Sequence, residues 1–415
     1  MTNDRMQESS SGEPVVDPVL AERVLAAIDQ EETVAFLQEL VRCPTVNPPG
    51  DVREAAAVCA AKLRGAGFAV EVVGPGPEFQ NVVATLAGQG GGPRLAFNAH
   101  YDVVPTGEES GWRFPPFGGE IDGGRVYGRG AGDDKASVTA QVMAGVALAR
   151  SGVPLTGTLI VTEVADEETG GELGAGFIVS NGHVEADYVI VGEQTRGQIC
   201  IGERGGVAVG LIVYGATGHA ATPWMGTNAI EGMAVVINAV RTELWPRLAA
   251  RTHPTLAAST ATISMIEGGV KVNVIPDRCE IHIDRRILPE ETPATVLAEL
   301  REIAERALAG DSKLRVEVVE KMSRSAMLTD AGSPVALALI AATRFLGQEP
   351  VVTGFFAGTD AKHFAPNGWP TLIMGPGDPA TAHTQDEWVG IDEVMEATRL
   401  YALTALALLG AGAAP

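Results

Sequence analysis

The sequence predicts an α/β fold: a mostly parallel sheet with helices on both faces, plus an inserted domain of ferredoxin-like topology. Runs of β-branched residues alternate with helical patterns from residue 68 to 192 and again from 332 to 375. Such alternation is typical of parallel strands joined by crossover helices. Between residues 206 and 320 the order changes to strand, helix, strand, strand, helix, strand, which is the ferredoxin-like βαββαβ arrangement. A domain inserted into the larger one accounts for both patterns.

Each element follows from a local periodicity. Apolar residues at helical spacing predict helices; these cover residues 18–42 in two segments, 51–65 or 51–67, 136–150, 173–181, 228–245, 293–309, 332–346, 360–365 and 392–409. Short apolar or alternating runs predict strands; these cover 68–73, 81–86, 94–99, 188–192, 207–214, 259–266, 277–285, 314–319, 351–355 and 371–375, with a central strand that begins at Thr158.

These elements divide the chain into segments. We expect a disordered tail over residues 1–17, a larger domain built from 18–205 and 321–415, and the inserted domain over 206–320. The tail is polar and lacks the apolar core of a signal peptide. The four cysteines show no C-x-x-C spacing. We therefore expect a reduced, cytoplasmic protein.

The composition excludes several kinds of partner. The chain has 415 residues, which is enough for two or three domains, and its 46% of apolar residues is ample for their cores. Its formal net charge of -22 argues against binding to nucleic acid or to anionic membranes. No apolar run reaches the ~20 residues that a membrane-spanning helix needs. The partners we expect are small molecules.

Three consecutive acids, Asp166, Glu167 and Glu168, directly follow the central apolar strand. Adjacent carboxylates repel one another and are costly to desolvate, so their position at the end of a buried strand favours a bound cation. Four other segments present a histidine or an acid in a comparable place: His100 with Asp102, then Asp133, Glu193 and His383. Because ligands of open α/β sheets bind beyond the carboxyl ends of the strands, we expect these side chains to converge there.

Charge favours two divalent cations in this cluster. Two such ions would face three carboxylates, those of Asp133, Glu168 and Glu193, and one bridging hydroxide would complete neutrality. Imidazole and carboxylate ligands together suit zinc, with cobalt or manganese as alternatives, better than they suit magnesium or calcium.

The motifs resemble, in the same order, those of the co-catalytic metallohydrolase family that includes aminoacylase, acetylornithine deacetylase and succinyl-diaminopimelate desuccinylase. They are His100-x-Asp102, the Gly-x-Gly-x-x-Asp-Asp-Lys run ending at Lys135, the pair Glu167-Glu168, Gly192-Glu193 and the late His383. The resemblance extends from about Asn47 to Glu387. It implies a subunit with a metal-bearing α/β domain and an inserted lid domain through which two copies form a homodimer.

The resemblance also implies a role for each residue of the cluster. Five residues would hold the two metals, with Asp133 bridging them: His100 and Glu193 on one side, Glu168 and His383 on the other. Asp102 would orient the His100 imidazole, as carboxylates commonly do for histidines that bind a metal. Glu167 would act as the general base, taking a proton from metal-activated water and passing it to the departing amine.

Three residues of the inserted domain match family positions that contact substrate. The resemblance implies that His219, in a loop of small residues, reaches the partner subunit's site and stabilises the oxyanion. It implies that Asn273 contacts the substrate and that Arg286, in Asp284-Arg285-Arg286, binds a substrate carboxylate in bidentate fashion. Arg285 is expected to be a solvated residue at the strand end.

We expect the protein to hydrolyse the amide bond of an N-acyl amino acid. A dipeptidase or carboxypeptidase with the same dinuclear site, acting on a short peptide, is the alternative that the motifs leave open. A nucleotide-dependent oxidoreductase, suggested by the glycines of residues 128–132, is a remote alternative. Their spacing departs from G-x-G-x-x-G, and the acidic residue expected ~20 positions further on is missing. A non-catalytic metal-binding fold is disfavoured because no residue of the motif set is missing.

Overall fold

The computed structural model describes residues 14–410. Of the predicted disordered tail, residues 1–13 lie outside the described residues. Asp17 precedes the first helix, and its side chain accepts hydrogen bonds from the amides of Val19 and Leu20. Among the described residues, no helix combines the length and the apolar character that crossing a membrane requires.

The helices and strands agree with the predicted ones within a few residues for most elements. The helices are α1 Pro18–Ala26, α2 Gln30–Val41, α3 Arg53–Gly65, α4 Lys135–Ser151, α5 Ala175–Ser180, α6 Ala229–Ala239, α7 Trp245–Ala249, α8 Pro293–Leu308, α9 Pro334–Phe345, α10 Ala361–Phe364 and α11 Ile391–Leu409. The strands are β1 Ala69–Val73, β2 Asn81–Leu86, β3 Arg94–His100, β4 Glu120–Asp122, β5 Arg125–Tyr127, β6 Thr158–Val164, β7 Tyr188–Val191, β8 Ile199–Glu203, β9 Gly205–Tyr214, β10 Gly218–His219, β11 Thr260–Gly268, β12 Val274–Ile275, β13 Arg278–Ile287, β14 Arg315–Arg324, β15 Met327–Leu328, β16 Val352–Phe355, β17 Thr371–Ile373 and β18 Trp388–Gly390.

The chain forms two compact units. Within the described residues, unit 1 comprises 14–201, Thr329–Thr353 and 359–410. Unit 2 comprises Gly202–Leu328 and the short segment Gly354–Gly358. The first unit is therefore built from separated parts of the sequence.

The large sheet of unit 1 is mixed rather than mostly parallel, so this part of the fold prediction was wrong. Its strand order is β1-β2-β6-β3-β7-β17-β8. The pairs β6–β3, β3–β7 and β7–β17 are parallel, whereas β1–β2, β2–β6 and β17–β8 are antiparallel. The Gly/Pro-rich connection of residues 74–80 is too short for a crossover helix. Strands β1 and β2 therefore form a hairpin.

Helix α4 is enclosed by the core of unit 1. Fourteen consecutive residues, from Lys135 to Leu148, are buried. The helix packs against α11 and β3, and alanine and glycine let these neighbours approach closely. A Cβ added at Gly145 would lie 3.0 Å from the Phe68 ring. Because a helix held on every side cannot shift, the residues at its start have a fixed position.

Unit 2 contains a four-stranded antiparallel sheet in the order β11-β13-β9-β14. Along the chain its main elements follow the order β9, α6, β11, β13, α8 and β14. Helices α6 and α8 pack together and against this sheet, around a core that includes Leu211, Ile281 and Leu300. The predicted helix 228–245 is divided, because a π-helical turn over Val240–Leu244 separates α6 from α7.

Arg285 is buried in unit 2, which corrects the expectation of a solvated residue. Its guanidinium donates to Glu291 at 2.9 Å and to the carbonyl of Thr260 at 2.8 Å. The reason is the two-residue period of β13: Ile283, Arg285 and Ile287 share the buried face. The same alternation is present in the sequence, and it places Arg285 on the buried face of the strand.

Candidate metal centre

The five predicted metal ligands come from five segments of unit 1. His100 ends β3, Asp133 lies two residues before α4, Glu168 lies in a short 3-10 turn after β6, Glu193 follows β7, and His383 lies in the connection between β17 and β18. Because β3, β6, β7 and β17 run parallel, the residues that follow them meet at one edge of the sheet.

Asp133 lies between the two histidines. Its Oδ1 is 3.3 Å from His100 Nε2, and its Oδ2 is 3.3 Å from His383 Nε2. Glu168 Oε1 is 3.2 Å from the same nitrogen of His383. Donor atoms of His100, Asp133 and Glu193 lie within 4.8 Å of one another, and so do those of Asp133, Glu168 and His383. The structure thus brings the five residues into two groups that share Asp133.

The carboxylates of this cluster attract positive charge. Burial, and then the charge of Asp133, raises the pKa of Glu193 well above its usual range. Burial also acts to raise the pKa of Asp133, but hydrogen bonds from both histidines outweigh it, and the pKa is lowered. Hydrogen bonds to Asp133 and Glu168 raise the pKa of His383 to about 10. Two imidazoles and three carboxylates in this arrangement fit a pair of divalent cations.

Asp102 contacts His100 through its main chain. His100 Nδ1 donates to the carbonyl oxygen of Asp102 at 3.1 Å, whereas the nearest carboxylate oxygen is 3.6 Å away. This bond holds a proton on Nδ1, so Nε2, which faces Asp133, is the ring nitrogen that a cation would bind. The carboxylate of Asp102 accepts instead from the amides of Glu167 and Glu168, at 3.1 and 3.2 Å. Asp102 therefore links the histidine to the turn that carries the predicted base.

Glu167 lies beside the two ligand groups. Its side chain is only 12% exposed. Burial is the largest cause that raises its pKa to about 8; His100 and Lys362 act in the opposite direction, and Asp360 adds to the increase. Lys362 Nζ is 3.9 Å from Glu167 Oε1. A buried carboxyl group beside the ligand groups and a lysine has the surroundings in which a carboxylate can accept and return a proton.

The structure reveals a task for Asp166 that the sequence analysis did not assign. This residue has a φ of 71°, in the left-handed region. Its carboxylate accepts from Thr169 Oγ1 at 2.5 Å and from the amide of Leu173 at 2.9 Å. These bonds fold the turn in which Glu167 and Glu168 lie. The sequence predicts that the three acids attract a cation together, but in the structure the first of them shapes the backbone.

Two more buried residues were missed, Asn47 and Glu387. Asn47 Nδ2 donates to the Asp102 carboxylate at 2.8 Å, across 55 residues of sequence. Glu387 accepts from the amide of Asp133 at 2.9 Å, across 254 residues. In the sequence analysis, Asn47 and Glu387 are only the first and last residues of the region that resembles the family, and neither has a role. Partners so distant in sequence leave no local signal.

The three predicted substrate residues belong to unit 2. His219 on β10 pairs with Val274 on β12, and the amide of Ala220 donates to the carbonyl of Asn273 at 3.1 Å. His219 and Asn273 are therefore neighbours, and both are exposed. Arg286 is half-buried and donates to both carboxylate oxygens of Asp284, at 2.8 and 3.2 Å.

This fold and this cluster define a hydrolase of amide bonds. The model of peptidase family M20/M25/M40 matches residues 96–407, and the chain belongs to this family. The resemblance drawn from the motifs is thereby confirmed, as is the prediction of an enzyme that hydrolyses amide bonds.

Particular relatives are consistent with this assignment. The chain is 31% identical over 381 residues to a succinyl-diaminopimelate desuccinylase of Methylocella silvestris, a match that covers 89% of this chain and 96% of the relative. Among solved structures, the aminopeptidase PepT of Bacillus cereus superposes with a TM-score of 0.76 at 23% identity, covering 92% of this chain and 99% of that one. The YXEP protein of Bacillus subtilis, described as a dinuclear metal-binding peptidase, has a TM-score of 0.71 at 17% identity, covering 91% and 98%. At 23% and 17% identity, these two structures support the fold alone.

Proposed function

We propose that this enzyme hydrolyses the amide bond of an N-acyl amino acid, releasing a carboxylate and a free amino acid. The observation that carries the proposal is the position of Asp133, with one oxygen 3.3 Å from each of two histidines and Glu167 close by. The relative named as a desuccinylase, 31% identical over 89% of this chain, supports an acyl substrate.

Two divalent cations would be held here, one by His100, Glu193 and Asp133, the other by Asp133, Glu168 and His383. Zinc suits this donor set, with cobalt or manganese as alternatives. Bound cations would supply Lewis-acid activation of water and of the amide carbonyl. The name of the Bacillus subtilis structure, a dinuclear metal-binding peptidase, supports a pair of ions.

The protein's own groups would move the proton. Glu167 takes it from the attacking water and delivers it to the leaving nitrogen, so that the amine departs neutral. The Asp102 carboxylate accepts hydrogen bonds from the amides of Glu167 and Glu168. These bonds would keep the base, Glu167, at a constant position relative to the ligand, Glu168. His100 keeps its Nδ1 proton on the Asp102 carbonyl, and Nε2 remains free to act as a ligand.

Unit 2 is proposed to be a ferredoxin-like lid and dimerisation domain. Its strand order, β11-β13-β9-β14, supports this interpretation. In a homodimer, His219 would stabilise the oxyanion in the partner's site, Asn273 would contact substrate, and Arg286 would bind a substrate carboxylate. We also propose a cytoplasmic location, which the four buried cysteines without disulfides support.

A dipeptidase or carboxypeptidase activity is the second candidate. It is favoured by the structural similarity to the aminopeptidase PepT, with a TM-score of 0.76. The same two cations and the same base would serve a peptide bond. The difference lies in the group on the acyl side of the scissile bond.

Amine release from a substrate panel separates the two candidates. The zinc-loaded enzyme is assayed with N-succinyl, N-acetyl and N-formyl amino acids and with dipeptides; the Glu167→Gln variant is the control for contaminating activity. We expect turnover of at least one N-acyl amino acid at a rate well above that of any dipeptide. Turnover of peptides alone would replace the proposal by the second candidate.

A further inference from the structure

Glu387 is a fully buried carboxylate at the metal centre that the proposed mechanism leaves without a task. It lies four residues after His383, and its side chain is 0% exposed. Its Oε1 accepts hydrogen bonds from the amides of Gly132 and Asp133, at 3.0 and 2.9 Å. Its main-chain carbonyl accepts from the amide of Gly128 at 2.9 Å. A single residue thus holds the Gly-rich loop at both of its ends.

The second carboxylate oxygen of Glu387 is held by Arg129. Arg129 Nη1 donates to Oε2 at 2.5 Å, and this guanidinium is only 3% exposed. The guanidinium also lies over the Trp112 ring, 5.1 Å from its centroid, and donates to the carbonyl of Pro105 at 3.5 Å. Because both oxygens are engaged, the carboxylate cannot rotate, and Oε1 stays directed at the two amides.

The loop is confined from another direction as well. A Cβ at position 132 would lie 2.0 Å from Gln194 Nε2 and 3.4 Å from the carbonyl oxygen of Trp388. A side chain at this position would have to displace the Gln194 amide. Gln194 therefore packs closely against the part of the loop that Glu387 holds.

We propose that Glu387 is a positioning residue: it fixes the backbone of Asp133 so that the Asp133 carboxylate can be shared between two cations. The inference rests on the proposed function, since it assigns Glu387 to the metal pair. A bridging carboxylate must present one oxygen to each ligand group, and each oxygen of Asp133 lies 3.3 Å from a histidine. Glu387 also lies on the same connection as His383, so it ties together two segments that supply ligands. Groups that orient metal ligands typically change metal affinity or activity by 10- to 100-fold when they are removed.

The test compares Glu387→Gln with Asp386→Asn in the full-length protein. Glutamine has one acceptor oxygen, so an NH2 group would face either Arg129 or the two loop amides. Asp386 is the matched control, because its carboxylate accepts from the amide of Arg113 at 2.6 Å and has no contact with Asp133. Zinc content is measured by elemental analysis, and zinc dissociation constants by competition with a chromophoric chelator.

We expect the dissociation constant of the more weakly held zinc to rise by about 10- to 100-fold in Glu387→Gln and by less than about threefold in Asp386→Asn. Added zinc should restore most of the activity lost in Glu387→Gln, which a purely structural defect would not allow. Unchanged zinc affinity in Glu387→Gln, with two ions per wild-type chain, overturns this inference alone. A wild-type chain that binds no zinc, cobalt or manganese overturns the proposed function.

Arg129→Lys supplies a second test if circular dichroism shows that Glu387→Gln is unfolded. Lysine keeps a positive charge beside Glu387 but cannot also reach the carbonyl of Pro105. We expect the dissociation constant of the weaker zinc to rise by about tenfold. An unchanged constant in a folded Arg129→Lys protein overturns the positioning role.

Discussion

Replacement of Asp102 by asparagine reveals what its carboxylate does. The two oxygens accept three hydrogen bonds: from Asn47 Nδ2 at 2.8 Å, from the amide of Glu167 at 3.1 Å and from the amide of Glu168 at 3.2 Å. Asparagine keeps one acceptor oxygen and places an NH2 group where the other was. The main-chain carbonyl that accepts from His100 Nδ1 is unaffected by the substitution.

The expected magnitude follows from these three bonds. Oδ2 of Asp102 accepts two of them, from Asn47 and Glu168. Reversal of the Asn47 amide can restore one, so one or two bonds to a buried charged acceptor are lost. Each is worth about 1.5–3 kcal/mol, and we expect the free energy of unfolding to fall by about 2–4 kcal/mol. Since the turn that carries Glu167 is released, kcat should fall by roughly 10- to 100-fold.

Urea denaturation of the metal-free protein measures the stability change, and steady-state kinetics measure kcat. Nitrogen-15 NMR of the histidine rings in the zinc-loaded protein should show that His100 keeps its Nδ1 proton. Asn47→Ala is the control and should cost about 1.5–3 kcal/mol, because it removes one hydrogen bond from the same charged carboxylate. If Asp102→Asn retains full stability and changes only the His100 tautomer, the carboxylate acts on the histidine, and our account of the turn is wrong.

Three further predictions concern separate parts of the molecule. Glu167→Gln should lower kcat by at least ~100-fold, because a general base is removed. The zinc content, measured by elemental analysis, should stay the same because no metal ligand is removed. A rate within tenfold of wild type would contradict the assigned role. A hydrogen bond from Arg150 is the main cause that lowers the pKa of Glu32 from 4.5 to about 2. The stabilisation is therefore complete above about pH 4.5 and is lost as the pH falls towards 2. Allowing for solvent screening it is worth about 1–2 kcal/mol, so Glu32→Gln should reduce stability in urea at pH 7 and make no difference near pH 2. Arg285→Met should destabilise unit 2 by about 2–3 kcal/mol in urea denaturation, because Glu291 loses one of its two guanidinium partners. Unchanged stability would show that Arg251 alone suffices.

That the five candidate ligands come together could be predicted, because each position depends on a local pattern. An acid or histidine directly after a β-branched run is visible in the sequence, and parallel strands bring their carboxyl ends together. His100, Glu168 and Glu193 were found in this way. The orientation of the outer strands could not be found, since it depends on which distant strand is the neighbour. The hairpin of β1 and β2 therefore contradicted the expectation of a mostly parallel sheet.

The hydrogen-bond partners of buried polar side chains could not be predicted from the sequence. Asp102 was expected to act through its carboxylate on His100, two residues away, but the carboxylate bonds to amides 65 and 66 residues further along the chain. The partners of Glu387 lie more than 250 residues earlier in the chain, and no periodic pattern around Glu387 points to them. Arg285 could have been assigned correctly, because the alternation along β13 was readable. The charge of Arg285 predicts an exposed side chain, whereas the two-residue period of β13 predicts a buried one, and the structure agrees with the period.

The enclosure of α4 bears on how this enzyme could be redesigned. Fourteen consecutive residues from Lys135 onwards are buried, and extra methyl groups in a well-packed core cost roughly 1–3 kcal/mol. A random library that included this helix would consist largely of misfolded variants. Efforts to change substrate preference would do better to leave Lys135–Leu148 untouched and to diversify exposed positions, such as those around His219.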